Sequence, residues 1–290
     1  MKICKNYSLA FLTSGLLLLI LFFGCAEYQN QTSNPNTNIT DNTENIISYC
    51  AKEKSKENRV FFNYPQFKET TPNANELNGL ILGFVKDALQ RLERGFGGNL
   101  KDYPEDWGWN WAEPEYTHNA MNISYNITRN DSNYLSVTFE GWFHHIKAAY
   151  PSHLFYSLTI DKVNVKIIFI DDLYCIDDDF IEFFQSNINE LVREGLARKF
   201  QILPDDISDD VVKIILEASN NNNFSEIKGK LTSNGEYSYP FFLTDEAVGI
   251  SISIPHVMGD HFEILISYDE LSKYLIDSNL LKEVIAPIRR

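Results

Sequence analysis

Cysteine, clustered basic residues and short catalytic signatures are all scarce in this sequence of 290 residues. Its four cysteines form no CxxC or Cys/His spacing of the kind that holds zinc. Lysine and arginine total 25 against 40 acidic residues and nowhere form a run, which argues against nucleic acid as a partner. Nucleophile-elbow, HExxH, P-loop and Rossmann patterns are missing, so no enzyme class is indicated. The acidic groups Asp171-Asp172, Asp177 to Asp179, Asp205-Asp206 and Asp209-Asp210 lack the central Gly and distal Glu of an EF-hand loop. Acidic residues at helix starts complement the macrodipole, which explains Asp177 to Asp179 and Asp209-Asp210 without a ligand. Of the six histidines, His144 and His145 are adjacent in a strand pattern and face opposite ways, and PHVMGDH, with His256 and His261, reads as a hairpin turn at Gly259. The expectation is a non-enzyme with no cofactor and no metal.

What is present begins with a leader. Lys2 and Lys5 precede an apolar run from Leu9 to Phe23 that ends in Gly24-Cys25, the pattern of an export signal over residues 1–24. The competing reading is an uncleaved anchor, since Leu9 to Ala26 is at the lower limit for crossing a bilayer. A small residue before Cys at the end of an apolar core resembles the lipobox of bacterial lipoproteins, which implies cleavage before Cys25 and its acylation. Phe22 and Phe23 depart from the usual lipobox, which carries Leu three positions before the cysteine. Residues 25–57 are mostly Asn-, Thr-, Gln- and Ser-rich and read as a disordered tether after the lipidated cysteine. The expected location is extracytoplasmic, anchored to the cell membrane or outer membrane. Cys50 and Cys175 remain, and pairing between them stays open.

The formal net charge is −15, and about −17 once Lys2 and Lys5 leave with the leader. Such a surface favours a cationic partner, or serves solubility alone.

From about residue 58 the chain reads as a folded α+β protein, with antiparallel sheets and helices packed on them. A strand is expected at Phe61 to Phe67. A helix follows from Asn73, with Leu77, Leu80, Ile81, Phe84, Val85, Ala88, Leu89 and Leu92 on one face and Asn73/Glu76 as its capping box. MNISYNI and YLSVTFEGWF alternate with period two around RNDSN and predict a hairpin. LFYSLTI and VNVKIIFI predict further strands, Asp179 to Phe200 a long helix and Ser208 to Ala218 a shorter one. Strands at YPFFLT, VGISISI and HFEILIS then lead to a helix through Ile276, started by a Ser267/Glu270 capping box.

The most unusual segment is DYPEDWGWNWAEPEY, where Trp107, Trp109 and Trp111 alternate and Tyr116 follows. Indoles on one face offer a stacking surface for a sugar or a grip on a partner, or else cover the core as a loop.

The order NELNGLILGFV, YLSVTFEGW, FYSLTIDKVNVKIIFIDDLY and FFLTDEAVGISISIPHVMGDHFEILISYDELSKYL resembles the PdaC/RsiV-like extracytoplasmic module, from roughly Arg59 to Ile276. The Asp171-Asp172-Leu173-Tyr174 step, FFLTDEAVGI and ISYDEL carry the resemblance. It implies a PdaC-like N-terminal subdomain over 58–164 and an RsiV-like C-terminal subdomain over 165–290. Members occur as the outer part of a lysozyme-sensing anti-sigma factor, as an appendage of a peptidoglycan deacetylase and as stand-alone lipoproteins. KAAYPSH stands where many members carry a Gly-Gly-Ala-His-Pro-like turn. The resemblance thus implies a binding or sensor lipoprotein for a basic, lysozyme-like hydrolase. The alternatives are a peptidoglycan- or glycan-binding accessory protein using Trp107, Trp109, Trp111 and Tyr116, and a wall hydrolase or deacetylase.

Overall fold

The computed structural model describes residues 45–54, 58–95, 119–145, 148–218 and 240–276. Six strands follow one another in one sheet: β1 (Ile46–Lys54), β2 (Asn58–Phe67), β3 (Asn119–Asn130), β4 (Tyr134–His144), β5 (Ser152–Asp161) and β6 (Lys166–Ile167). The fold is α+β, as expected, but this sheet is mixed, because β2 and β3 run parallel. A parallel neighbour needs a crossover connection, and helix α1 (Ala74–Gly95) stands between the two strands in the chain.

The tether expected over 25–57 gives way to structure at β1, which pairs antiparallel with β2 from Ile46↔Phe67 to Lys54↔Arg59. The Asn-rich composition stops before Ile46, and β2 supplies the ladder that this short segment lacks on its own. Residues 25–44 lie outside the described residues.

Turn chemistry accounts for the hairpins. Asp131 Oδ1 accepts the amides of Asn133 and Tyr134 at 2.7 and 2.8 Å, closing the β3–β4 turn. Asp161 Oδ1 does the same for Val163 and Asn164 at 3.0 and 2.8 Å, and Val165 takes φ 53°. VNV is therefore a turn, and only Lys166–Ile167 of the expected strand remains. Since β6 pairs with β5, the first sheet continues past the expected boundary at residue 164.

One face of the first sheet buries Phe62, Ile123, Val137 and Phe139 against Leu77, Ile81, Val85 and Ala88 of α1. The helix stripe is the one expected, but Asn73 has φ 56°, outside the extended conformation of an N-cap. Asn78 instead fixes the entry, pairing its amide with the N–H and C=O of Phe67 at 2.7 and 2.9 Å.

After α2 (Ile170–Leu173), Asp177 caps α3 (Asp178–Phe200) by accepting from the Phe180 amide at 3.0 Å. This bond holds the Asp177 carboxyl below its usual range. Helix α4 (Asp209–Ala218) follows, then the antiparallel sheet β7 (Phe241–Leu243), β8 (Ala247–Ser253) and β9 (His261–Ser267). Phe180, Phe184, Ile188, Val192 and Leu196 of α3 pack with Val248, Ile250, Phe262 and Ile264 in a second core, while Phe183 stays partly exposed. Each fully buried Phe or Ile there contributes about 1.5–3 kcal/mol of transfer free energy. The Ser267/Glu270 capping box forms, but α5 (Tyr268–Leu271) is a single turn, and the chain passes through a 3-10 turn (Ser272–Tyr274) to a bridge between Leu275 and Tyr174. Cys50 and Cys175 are not joined in a disulfide, and the Cys175 thiol donates to Asp177 Oδ2 at 3.5 Å. Among the described residues, no helix is long and apolar enough to cross a membrane.

Candidate functional site

Cys25 and the proposed ligand residues Trp107, Trp109, Trp111 and Tyr116 lie outside the described residues. Four of the histidines have clear structural settings. The Nε2 of His144 meets the Ala148 carbonyl at 3.1 Å. The backbone N–H of His153 donates to Asp260 Oδ2 at 2.6 Å, His256 Nδ1 lies 2.9 Å from Asp260 Oδ1, and His261 Nδ1 lies 2.9 Å from Glu263 Oε1. Strand β5 and the β8–β9 turn thus bring His153, His256 and His261 to one corner, which the sequence spacing does not show. Among the described residues no three ligating side chains converge on a metal position. Gly259 has φ 101°, as the turn requires, so PHVMGDH is a hairpin turn.

Beside this corner runs a groove of about 300 Å³ between the two sheets. Strand alternation sends Asn126, Thr138 and Glu140 to the face opposite α1. Phe155 of β5 and Phe242 of β7 approach with ring centroids 6.0 Å apart, and α3 meets β9 at the groove, where Arg198 donates to the Glu263 carbonyl at 3.2 Å and Lys199 and Leu265 add to the lining. Two glycines permit this closeness. A Cβ on Gly195 would lie 2.7 Å from the Phe262 ring, and one on Gly249 would lie 2.1 Å from the Phe242 ring. Helix α3 therefore rests directly on β9, and the Phe242 ring lies over the backbone of β8.

The groove's charges shift one another. Solvent reaches Glu140, yet protein surrounds it on most sides, and this partial burial, with Glu263 adding to it, raises its pKa above 4.5. Burial lowers the pKa of Lys199, against the pull of Glu263, Glu140 and Asp260. Burial also lowers that of His153, opposed by Asp260. Lys199 donates to the carbonyls of Gly259 and His261, so its ammonium also pins the β8–β9 turn to α3.

No family model matches the sequence, and no curated protein does. Solved structures do. A member of the DUF3298 family from Bacteroides fragilis is similar at 13% identity and a TM-score of 0.47, over 83% of this chain and 97% of that one. A DUF3298 family protein from Pseudomonas aeruginosa is similar at 10% identity and a TM-score of 0.45, over 80% of this chain and 94% of that one. The link to DUF3298 proteins is distant.

The acidic groups also find their places. Asp172 accepts the Phe169 amide at 2.8 Å, and Asp209 pairs with Arg193, whose guanidinium also donates to the Ile207 carbonyl. The left-handed Gln201 ends α3 and leaves Ile202 and Leu203 40% and 68% exposed. Asp205, Asp206, Asp209 and Asp210, all exposed, follow directly. The sequence pattern marks these aspartates and the end of the helix at Phe200, but not the exposure of the apolar pair, which depends on packing with residues distant in sequence.

Proposed function

We propose that this chain is a membrane-tethered extracytoplasmic lipoprotein, a stand-alone relative of the PdaC/RsiV-like module, that binds a cationic, lysozyme-like envelope-active protein. It binds its partner without transforming it. The carrying observation is the corner between α3 and α4, where exposed Ile202 and Leu203 adjoin four exposed aspartates. An apolar anchor with a charged rim is the usual composition of a protein-binding patch. The net charge of −15 adds long-range attraction for a basic partner. Acylation at Cys25 would keep the module outside the cell, at the membrane surface.

The test is retention of a cationic muramidase by the immobilised full chain as salt is raised. The proposal expects retention at low ionic strength that fades with salt. No retention even at low salt contradicts it. Mass spectrometry of the protein from membranes tests the anchor, and an unmodified Cys25 removes that part of the proposal.

A further inference from the structure

We propose that the groove between the two sheets binds a neutral oligosaccharide, at a site separate in its residues from the acidic corner. Among the described residues, the side chains of Asn126, Thr138 and Glu140 have no hydrogen-bond partner in the protein, although all three line the groove. Asn126 and Thr138 are cross-strand partners, and Glu140 is the next residue on the same face of β4. Thr138 is only 3% exposed, and its hydroxyl at the groove wall is left to bond with whatever enters the groove.

The rest of the groove narrows the ligand class. Phe155 and Phe242 give it apolar surface, and hydroxyl, amide and carboxylate groups stand beside them, Glu140 being the cross-strand partner of Phe155. Glu140 and Glu263 are matched by Arg198 and Lys199, so neither cations nor anions are favoured. A sugar presents what this lining complements: apolar C–H faces, hydroxyls that both donate and accept, and no net charge.

The open sheet face beyond the groove suits a longer chain of sugars. Phe61, Asn122 and Trp142 form one row across β2, β3 and β4, on the same face as Glu140. Two strand spacings separate Phe61 from Trp142, about 10 Å. Phe61 is 44% exposed and Asn122 is also exposed. Aromatic rings at the two ends of this row would stack on separate units of one bound chain.

Titration calorimetry of the full chain with tri-N-acetylchitotriose and with cellotriose, beside a lysine-rich peptide, tests this. Saturable binding of at least one sugar, insensitive to salt, is expected. Asn126→Ala and Thr138→Val should each weaken it about fivefold with unchanged thermal unfolding. Asn126 is exposed, so its variant keeps the test open should the Thr138 variant not fold. Failure of both sugars to bind at millimolar concentration overturns the proposal, as does binding that both variants leave unchanged. Sugar-free binding of the lysine-rich peptide that weakens in the same variants would instead make the groove a receptor for basic side chains, and also overturns it.

Discussion

The guanidinium of Arg129, on β3 of the first sheet, donates to the hydroxyl of Tyr268, on α5 beyond the second sheet, at 3.0 Å. Arg129 is 3% exposed, is paired with Asp131 at 2.5 Å, and lies between the rings of Tyr134 and Tyr268 at 5.5 and 5.8 Å. The Tyr268 hydroxyl in turn donates to the Thr244 carbonyl at 2.7 Å. Burial pushes its pKa up to about 12, so it keeps the proton this bond needs. Tyr134, from β4, packs in the second core. A buried charge, a shared tyrosine and the bond from the Leu243 amide to Ser136 Oγ at 2.9 Å therefore join the two sheets.

Replacing Tyr268 by Phe should cost about 1–3 kcal/mol, because the Thr244 carbonyl loses its donor and an Arg129 N–H is left buried without an acceptor. Urea unfolding of the full chain measures this. A change within a few tenths of a kcal/mol would mean that the contact contributes nothing.

Gly195→Ala should cost about 1–3 kcal/mol, since the new methyl would lie 2.7 Å from the Phe262 ring and force α3 away from β9. Gly83→Ala is the matched control. It lies mid-helix in α1 with no atom within 4 Å of the added carbon, so it should gain about 0.5–1 kcal/mol. Thermal unfolding of the two variants should therefore move in opposite directions.

Much of this fold is legible in local pattern. The stripe on α1, the Asp131 turn, the Asp177 cap and the Ser267/Glu270 capping box each depend on residues a few positions apart. Less legible are features set by distant partners. The ladder that orders β1 comes from β2, and the parallel β2–β3 pairing depends on the crossover between them. The groove joins Glu140, Lys199 and Glu263, whose separation in sequence conceals their proximity. Strand alternation alone would have placed Asn126, Thr138 and Glu140 on one face, but not the second sheet that closes over them.

Glu140→Gln should raise stability at neutral pH. The folded-state pKa of Glu140 lies above 4.5, so ionising it costs the folded state more than the unfolded one. Stability is lost as pH rises through the window between 4.5 and the raised value, and the Gln variant escapes that loss. Because Glu140 is solvent-exposed, the gain should stay below about 1 kcal/mol. Melting temperatures measured across pH should converge below pH 4.5 and separate above it.

His153 has the opposite dependence. Its folded pKa lies below 6.5, so the unfolded chain takes up the proton first and stability falls as pH drops below that value. Asp260 favours the proton there, while Lys199, His261 and His256 oppose it. His153→Gln should flatten the stability profile just below pH 6.5, leaving the Asp260 bond to the backbone N–H in place. An unchanged slope in that variant would assign the pH dependence to other groups.

The central claim is that the acidic, apolar-tipped corner between α3 and α4 binds a basic partner. Its most direct test is the equilibrium dissociation constant of the full chain for a cationic muramidase, measured at several salt concentrations. The four-site variant Asp205→Asn, Asp206→Asn, Asp209→Asn, Asp210→Asn and the variant Leu203→Ser are compared with the natural chain. Affinity should fall steadily with salt, and each variant should weaken it by about tenfold or more at low salt. An affinity indifferent to salt and to both variants, or no binding at all, would contradict the account.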